Sequence, residues 1–330
     1  MKPEQRHPVR QGNRISLLPL VLLAFILSVS SSMAQSAGGI QFKTTDEVTA
    51  DRSSTRLTVA TPALWKATKG RSDIYLFGTI HILPDDLTWR TPAYDAAMKD
   101  AEVTALEVES TSPEAQARMQ SLIQEYGVSR EVTLEQRLGP ARWRSLIEVT
   151  NSLDIDPYTL QNLEPWLAIL VVTVSAFEQE GFLPDAGVDN AVEAQALDEE
   201  DTLAYLETLE TQIKALISLT ADGDLAAFDA SLAELDDFRG QIDRLLTSWG
   251  TGDTDAMTQM LINDFRELSE AAYNALFIQR NNAWLVQLNT MLDNPKDEDV
   301  FVAVGAAHLV GEDGLVEQLE AMGVRVERLQ

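Results

Sequence analysis

Apolar runs typical of β-strands stand near the two ends of this chain and are rare between them. Two of the runs flank the turn at residues 69–72 and predict a β-hairpin. The run at residues 300–304 contains only apolar residues and predicts a strand that is buried on both faces. Short helices are predicted over about 92–100 and 313–322. The predicted strands are residues 63–68, 73–77, 103–108, 300–304 and 324–329.

The middle of the chain, about residues 113–293, shows apolar residues at helical spacing instead. Residues 166–177 form an apolar run that is too short to span a bilayer and predicts a buried core helix. We therefore expect a mixed α/β (α+β) fold, with a central sheet built from the N-terminal and C-terminal strands and a large helical insertion. One example of the helical spacing is Leu203, Leu206, Leu209, Ile213 and Leu216.

The first 34 residues have the organisation of a secretory signal peptide. Basic residues precede an apolar run at residues 15–29, and small residues at Ser32 and Ala34 predict cleavage after Ala34. An uncleaved membrane anchor is the alternative, although the run is short for a span of about 20 residues and Pro19 interrupts it. We expect a periplasmic or secreted protein that meets the membrane only if the signal is uncleaved. Residues 35–60 are predicted to be a flexible lead-in, and residues 61–330 the domain.

Charge and composition exclude several classes of function. The chain carries 25 Lys and Arg against 52 Asp and Glu, a net charge of -27, so a nucleic-acid partner is not expected. Cysteine is absent, which excludes disulfides, zinc-thiolate sites and a thiol nucleophile. Of the three histidines, His7 belongs to the signal segment, which leaves His81 and His308.

These two histidines have the same local context. Each follows an apolar strand in a Gly-x-x-His motif, at residues 78–81 and 305–308. In open α/β sheets, ligands bind beyond the carboxyl ends of the strands, and glycine lets the backbone approach a ligand closely. A lone histidine is more often structural, but the repeated motif favours one functional site shared by both.

Glu107 stands near the end of the strand predicted over 103–108 and can join the two imidazoles. Two histidines and a carboxylate suit a divalent transition metal, which lowers the pKa of its bound water to about 7. The alternatives are a charge on Glu107 that pairs with a nearby Arg, and metal-free ester hydrolysis with a histidine as general base. The sequence has no His-Glu-x-x-His, Gly-x-Ser-x-Gly or phosphate-loop motif.

Short motifs recur along the chain from Ala63 to Leu329. They are Leu64-Trp65-Lys66, Gly78-Thr79-Ile80-His81 with Leu83-Pro84, Trp89-Arg90-Thr91-Pro92, Leu106-Glu107-Val108, Pro165-Trp166, Gly187-Val188-Asp189, Leu206-Glu207-Thr208, Arg280-Asn281 and residues 302–311. In their order and spacing the chain resembles the TraB/GumN family, the bacterial relatives of the animal Tiki membrane proteases. Gln279 and Glu164 depart from that family, which usually has Glu and Lys there, and both departures leave the substrate undetermined.

The resemblance implies a fold like that of erythromycin esterases and the haem-binding ChaN protein. It also implies metal-dependent peptide hydrolysis with Mn²⁺ or Co²⁺, with Zn²⁺ possible, and His81, Glu107 and His308 as metal ligands. Arg280 would stabilise an oxyanion or hold a substrate carboxylate. The implied catalytic residues are His81, Glu107, Arg280 and His308, supported by Asp189, Glu207 and Asn281.

The leading hypothesis is an exported metal-dependent hydrolase that acts on a peptide or another small-molecule substrate. The alternative, from a different class, is a non-catalytic periplasmic protein that binds haem, metal or a peptide. A helical interaction protein with a degenerate site is the third possibility. The joint presence of His81, Glu107, Arg280 and His308 argues against that third possibility.

Overall fold

The computed structural model describes residues 57–235, 238–293, 296 and 298–330. The predicted signal peptide and nearly all of the predicted lead-in lie outside the described residues. Within them, every helix is too short or too polar to traverse a lipid bilayer.

One six-stranded sheet forms the centre of the fold, in the order β4-β3-β5-β2-β1-β6. Strands β4, β3, β5 and β2 run parallel, and β1 is antiparallel to both of its neighbours. C-terminal strand β5 lies between N-terminal strands β2 and β3, so the prediction that both ends of the chain share one sheet is confirmed. The strands are β1 (Leu64–Lys69), β2 (Ser72–Thr79), β3 (Val103–Leu106), β4 (Thr202–Tyr205), β5 (Val300–Gly305) and β6 (Arg325–Arg328).

Helices connect the strands and cover the sheet. Two of the later helices, α9 and α10, each contain a π-helical segment, at Thr258–Asn263 and Asn274–Ile278. The helices are α1 (Pro92–Asp100), α2 (Pro113–Tyr126), α3 (Leu134–Ser152), α4 (Pro165–Gln179), α5 (Val188–Asp198), α6 (Leu209–Ile217), α7 (Ala226–Glu234), α8 (Phe238–Gly250), α9 (Thr254–Met257, Thr258–Asn263 and Asp264–Leu268), α10 (Glu270–Tyr273, Asn274–Ile278 and Gln279–Leu292) and α11 (Leu315–Ala321).

Local sequence explains where several helices begin. The side chains of Thr91 and Ser112 accept hydrogen bonds from backbone N–H groups in the first turns of α1 and α2, and proline follows each of them. Such caps satisfy N–H groups that have no partner within the helix, and proline has the backbone angle that a first turn needs. Thr133 and Gln136 form a reciprocal capping box at the start of α3.

Both faces of the sheet are buried. On one face, the Tyr94 ring of α1 lies 5.2 Å from that of Phe77 and 5.4 Å from that of Phe301. On the other face, Val302 belongs to a buried cluster with Trp284 of α10 and Leu319 of α11. Because helices cover both faces, the carboxyl edge of the parallel strands is the place left for a site.

The prediction of almost continuous helix over 113–293 is wrong at β4. Leu203 lies in this strand, which pairs in parallel with β3, and Leu206 follows the strand. A three-residue spacing between two leucines does not by itself distinguish a helix from a short strand. Pairing with β3 provides hydrogen-bond partners for the backbone N–H and C=O groups of β4. The rest of the series is helical, in α6. The insertion therefore consists of two helical parts separated by an edge strand.

Gly78 in the first Gly-x-x-His motif is required by close packing. A methyl group there would lie 3.0 Å from Cα and 3.1 Å from Cβ of Ala306, at the start of the turn that carries His308. We expect Gly78→Ala to lower the free energy of unfolding in urea by about 1–3 kcal/mol and to change the near-UV circular dichroism.

Gly323→Ala is the control for that substitution. Gly323 has φ +81° with no atom near the added methyl, so its cost is backbone strain of about 1–2 kcal/mol and its near-UV spectrum should stay unchanged. Wild-type stability in Gly78→Ala would contradict the packing argument.

Candidate functional site

Three neighbouring strands bring the predicted site residues to one edge of the sheet. β2 ends at Thr79, β5 at Gly305 and β3 at Leu106, and β5 lies between the other two. In this arrangement both Gly-x-x-His motifs and Glu107 leave neighbouring strands at a common edge. Glu107 lies one residue beyond β3, where its Oε1 accepts a hydrogen bond of 2.7 Å from the Gly305 N–H.

The side chain of Arg280 is the centre of the arrangement, and all five of its N–H groups are used. Its Nε donates to the Glu207 carboxylate at 2.9 and 3.0 Å. Nη1 donates to the Leu276 carbonyl at 3.0 Å and to His308 Nε2 at 2.8 Å. Nη2 donates to Glu107 Oε2 at 2.7 Å and to Glu207 Oε1 at 2.6 Å. A guanidinium has five donors, so none remains for another acceptor.

These contacts determine the protonation state of His308. Arginine can only donate, so His308 Nε2 accepts from Arg280, and the proton is on Nδ1, which lies 2.6 Å from Asn281 Oδ1. The imidazole is fully buried and packs against Trp284, with ring centroids 4.5 Å apart. Burial lowers the pKa of His308 well below its ordinary value, and the positive charges of Arg280 and, when it is protonated, of His81 lower it further. His308 is therefore a neutral acceptor.

Arg280 and its two carboxylates form a buried charged network. Burial opposes the charge of Arg280, yet Glu107 and Glu207 raise its pKa above the ordinary value. Burial also raises the pKa of Glu207, against the opposite effect of Arg280. Arg280 is 2% exposed and stacks on Trp284, with the guanidinium carbon 4.6 Å from the ring centroid. Such a network is stable only when every member has its partners.

Local structure places each member of this network. The π-helical segment Asn274–Ile278 directly precedes Arg280, and the Leu276 carbonyl within it binds the guanidinium. π-Helical turns occur mostly as local insertions in α-helices, often at functional sites. Glu207 lies just beyond β4, and its N–H donates to the Glu107 carbonyl at 2.9 Å. The edge strand that the sequence analysis missed is thus what brings the two glutamates together.

A second pair of residues lies at the end of β2. His81 Nδ1 is 2.5 Å from Asp189 Oδ2, and Thr79 donates to the other oxygen of Asp189 at 2.7 Å. Asp189 stands in the first turn of α5. A carboxylate accepts the Nδ1 proton, so the lone pair of neutral His81 is on Nε2. The two residues form a His–Asp pair of the kind that orients a general base.

The predicted residues thus fall into two groups. Asp189 and Glu207, which were predicted only as supporting residues, are direct hydrogen-bond partners: Asp189 of His81 and Glu207 of Arg280. The first group is a continuous network of Glu107, Glu207, Arg280, Asn281 and His308, and the second is the pair of His81 and Asp189.

The residues predicted as metal ligands do not fit a metal ion while Arg280 holds this position. His308 Nε2 and Glu107 Oε2 both accept from Arg280, and Glu107 Oε1 accepts from the backbone. Across the described part of the chain, no three His, Asp or Glu side chains are grouped so that they could hold a metal. The metal cofactor stays a prediction of the family resemblance.

Sequence analysis missed Glu193, a buried carboxyl group one helical turn after Asp189 on α5. Tyr205 donates to its Oε1 at 3.0 Å, and Ser110 to its Oε2 at 3.4 Å. Burial raises the pKa of Glu193 above its ordinary value. The signal that could have found it is the four-residue spacing from Asp189, which places both carboxyl groups on one face of a helix.

Comparison with known protein families gives a match over most of the chain. The model of the TraB/PrgY/gumN family matches residues 63–328, from the start of the hairpin to the last strand. The chain belongs to the TraB/PrgY/gumN family. The matched residues of this family member include both Gly-x-x-His motifs and Arg280. The chain has no significant match among curated proteins.

The lowered pKa of His308 predicts a loss of stability on acidification. In the unfolded chain this histidine takes up a proton near pH 6.5, whereas in the fold it stays neutral to a lower pH. Its contribution to stability is therefore complete above about pH 6.5 and is lost as the pH falls below it, at up to about 1.4 kcal/mol per pH unit. We expect His308→Gln to lack this part of the acid slope in urea unfolding between about pH 7.5 and 5.5.

Asn281→Ala is the control, because it disturbs the same ring but keeps a titrating histidine, and it should retain the slope. Comparing variants cancels most of the contribution of Glu207, whose raised pKa acts with the opposite sign. Equal acid slopes in wild type and His308→Gln would show that His308 is not held neutral.

Proposed function

We propose that this member of the TraB/PrgY/gumN family is a hydrolase in which His81 activates water and Asp189 orients His81. The contact between His81 Nδ1 and Asp189 at 2.5 Å is the observation that carries the proposal. His81 is 4% exposed, beside the carboxyl edge where α/β proteins bind their ligands. A general base needs an imidazole that is oriented in this way.

The proposed steps move one proton in a closed cycle. Nε2 of His81 removes a proton from water as the water oxygen attacks the substrate carbonyl. Asp189 stabilises the imidazolium that results, and Thr79 holds the carboxylate of Asp189 in place. The imidazolium then gives the same proton to the leaving group, which breaks the scissile bond and restores neutral His81.

We propose a role for Arg280 that differs from the predicted stabilisation of an oxyanion or grip on a substrate carboxylate. To stabilise an oxyanion, Arg280 would have to turn one of its five N–H groups away from a buried acceptor. We assign it the role of holding Glu107, Glu207 and His308 in fixed positions. Such fixed side chains favour catalysis, because catalysis depends on groups that need no reorganisation during the reaction.

The proposal assigns water activation to His81 rather than to a metal ion. Mn²⁺, Co²⁺ or Zn²⁺ would acidify bound water, but His308 and Glu107 have their acceptor atoms engaged by Arg280. The same bond to His308 argues against haem ligation by its Nε2. A peptide is the proposed substrate class, on the strength of the family resemblance alone.

Asp189→Asn tests the role of the pair. An amide can donate to His81 Nδ1 and would then favour the wrong tautomer of the ring, so we expect kcat/KM to fall by about 10²-fold or more. His81→Gln should lose about 10²- to 10⁴-fold. The substrate is first found by peptide-library cleavage followed by mass spectrometry, and the rates are then measured on the best peptide.

Asp185→Asn is the matched control, because it makes the same change at an exposed aspartate that precedes the helix of Asp189. It should keep wild-type kcat/KM, and all three variants should keep the wild-type far-UV circular dichroism. Near wild-type hydrolysis by His81→Gln would rule out His81 as the base, whereas a wild-type protein that cleaves no peptide would favour a non-catalytic binding protein.

We also propose that the protein is exported and acts in the periplasm or outside the cell. The support is the sequence of residues 1–34 alone. N-terminal sequencing of the protein from its producing cell should begin at Gln35. A chain that begins at Met1 and sediments with membranes would show an anchor instead.

A further inference from the structure

We infer that the Arg280 guanidinium is the built-in cation of this site and excludes a divalent metal from the centre on which Glu107, Glu207 and His308 converge. In this family member the wild-type chain would then bind no metal there, and removal of the guanidinium would create a metal site. The inference concerns binding only, so it holds or fails independently of the proposed hydrolysis.

The atoms around the Arg280 guanidinium are of the kinds that bind metal ions. Two carboxylates and one imidazole nitrogen lie 2.6–3.0 Å from its nitrogen atoms. Carboxylate oxygen and neutral imidazole nitrogen are the ligands that Mn²⁺ and Zn²⁺ take in proteins. The three side chains therefore form a receptor for a cation, and in this chain the cation is an arginine.

Arg280 and a metal ion would compete for the same lone pairs of His308 and the two glutamates. The only lone pair of neutral His308 that is not used by a proton points at Nη1 of Arg280. A metal ion would need this lone pair, together with carboxylate oxygens that Arg280 also holds. It would also bring two further positive charges next to the guanidinium, in a buried place where repulsion is strong.

The Arg280 side chain is also held in place by contacts outside the two carboxylates and His308. The Leu276 carbonyl, one turn before it in α10, accepts from Nη1, and the Trp284 ring lies against its guanidinium. The side chain is 2% exposed. To leave, it would have to give up the hydrogen bonds of all five N–H groups at once, so we expect substitution, rather than metal, to displace it.

The experiment measures bound metal in the full mature chain. Wild type, His308→Gln and Arg280→Ala are dialysed against excess Mn²⁺, Co²⁺ or Zn²⁺ and then analysed for metal content. The acidic surface will bind some metal weakly, so the reading is the difference between variants. We expect wild type and His308→Gln to bind equally, and Arg280→Ala to gain about one equivalent. That gain should disappear in the double variant Arg280→Ala with His308→Gln.

Thermal unfolding gives a second reading. Metal at about 100 times its Kd should raise the thermal midpoint of Arg280→Ala by about 5 °C or more and leave wild type unchanged. Arg280→Lys keeps a cation and should gain no metal. Arg142→Ala is the matched control: Arg142 binds Asp229 through two hydrogen bonds of 2.7 and 2.8 Å, but at an exposed site. Its loss frees one surface carboxylate and should gain no metal.

Two results would overturn the inference. One is wild-type protein that binds an equivalent of metal and loses it in His308→Gln. The other is folded Arg280→Ala that gains no metal. If Arg280→Ala does not fold, Arg280→Met, which fills more of the space, replaces it, and the comparison of wild type with His308→Gln still decides whether the native site takes a metal.

Discussion

A buried guanidinium must meet an acceptor at each of its N–H groups, or the cost of taking its charge out of water destabilises the fold by several kcal/mol. Arg280 meets this condition with acceptors from four parts of the chain: Glu107 after β3, Glu207 after β4, His308 after β5 and Leu276 within α10. The strands must therefore lie in the observed order for these acceptors to meet. The order of the sheet and the closure of the site depend on the same set of bonds.

The site contains two groups of residues: the hydrogen-bonded network around Arg280, and the His81–Asp189 pair to which we assign the chemistry. The network around Arg280 is saturated, so its members hold one another and His308 stays neutral. The pair of His81 and Asp189 joins the end of β2 to the start of α5. We assign the proposed chemistry to His81, whereas the bonds of Arg280 contribute to the stability of the fold.

Those parts of the fold and of the candidate site that have a local sequence signal could be predicted. Apolar runs predicted the strands at both ends of the chain, and the repeated Gly-x-x-His motif indicated that both histidines lie beyond the carboxyl ends of strands. Strand β4 was missed because its four residues and the next leucine imitate helical spacing. The pairing of Arg280 with Glu207 was not predictable, because the two residues are far apart in sequence and meet only through that missed strand. Glu193 lacked a signal beyond its spacing from Asp189.

The most direct measurement is the ¹⁵N NMR spectrum of histidine-labelled mature protein, in which the signals of His308 are identified by comparison with His308→Gln. If Arg280 occupies the lone pair of Nε2, His308 will show the neutral Nδ1–H tautomer at pH 7.5 and will keep it as the pH falls through the ordinary histidine pKa of about 6.5. Addition of Mn²⁺ or Zn²⁺ will leave its signals in place. A His308 that titrates near pH 6.5, or carries its proton on Nε2, would contradict the account.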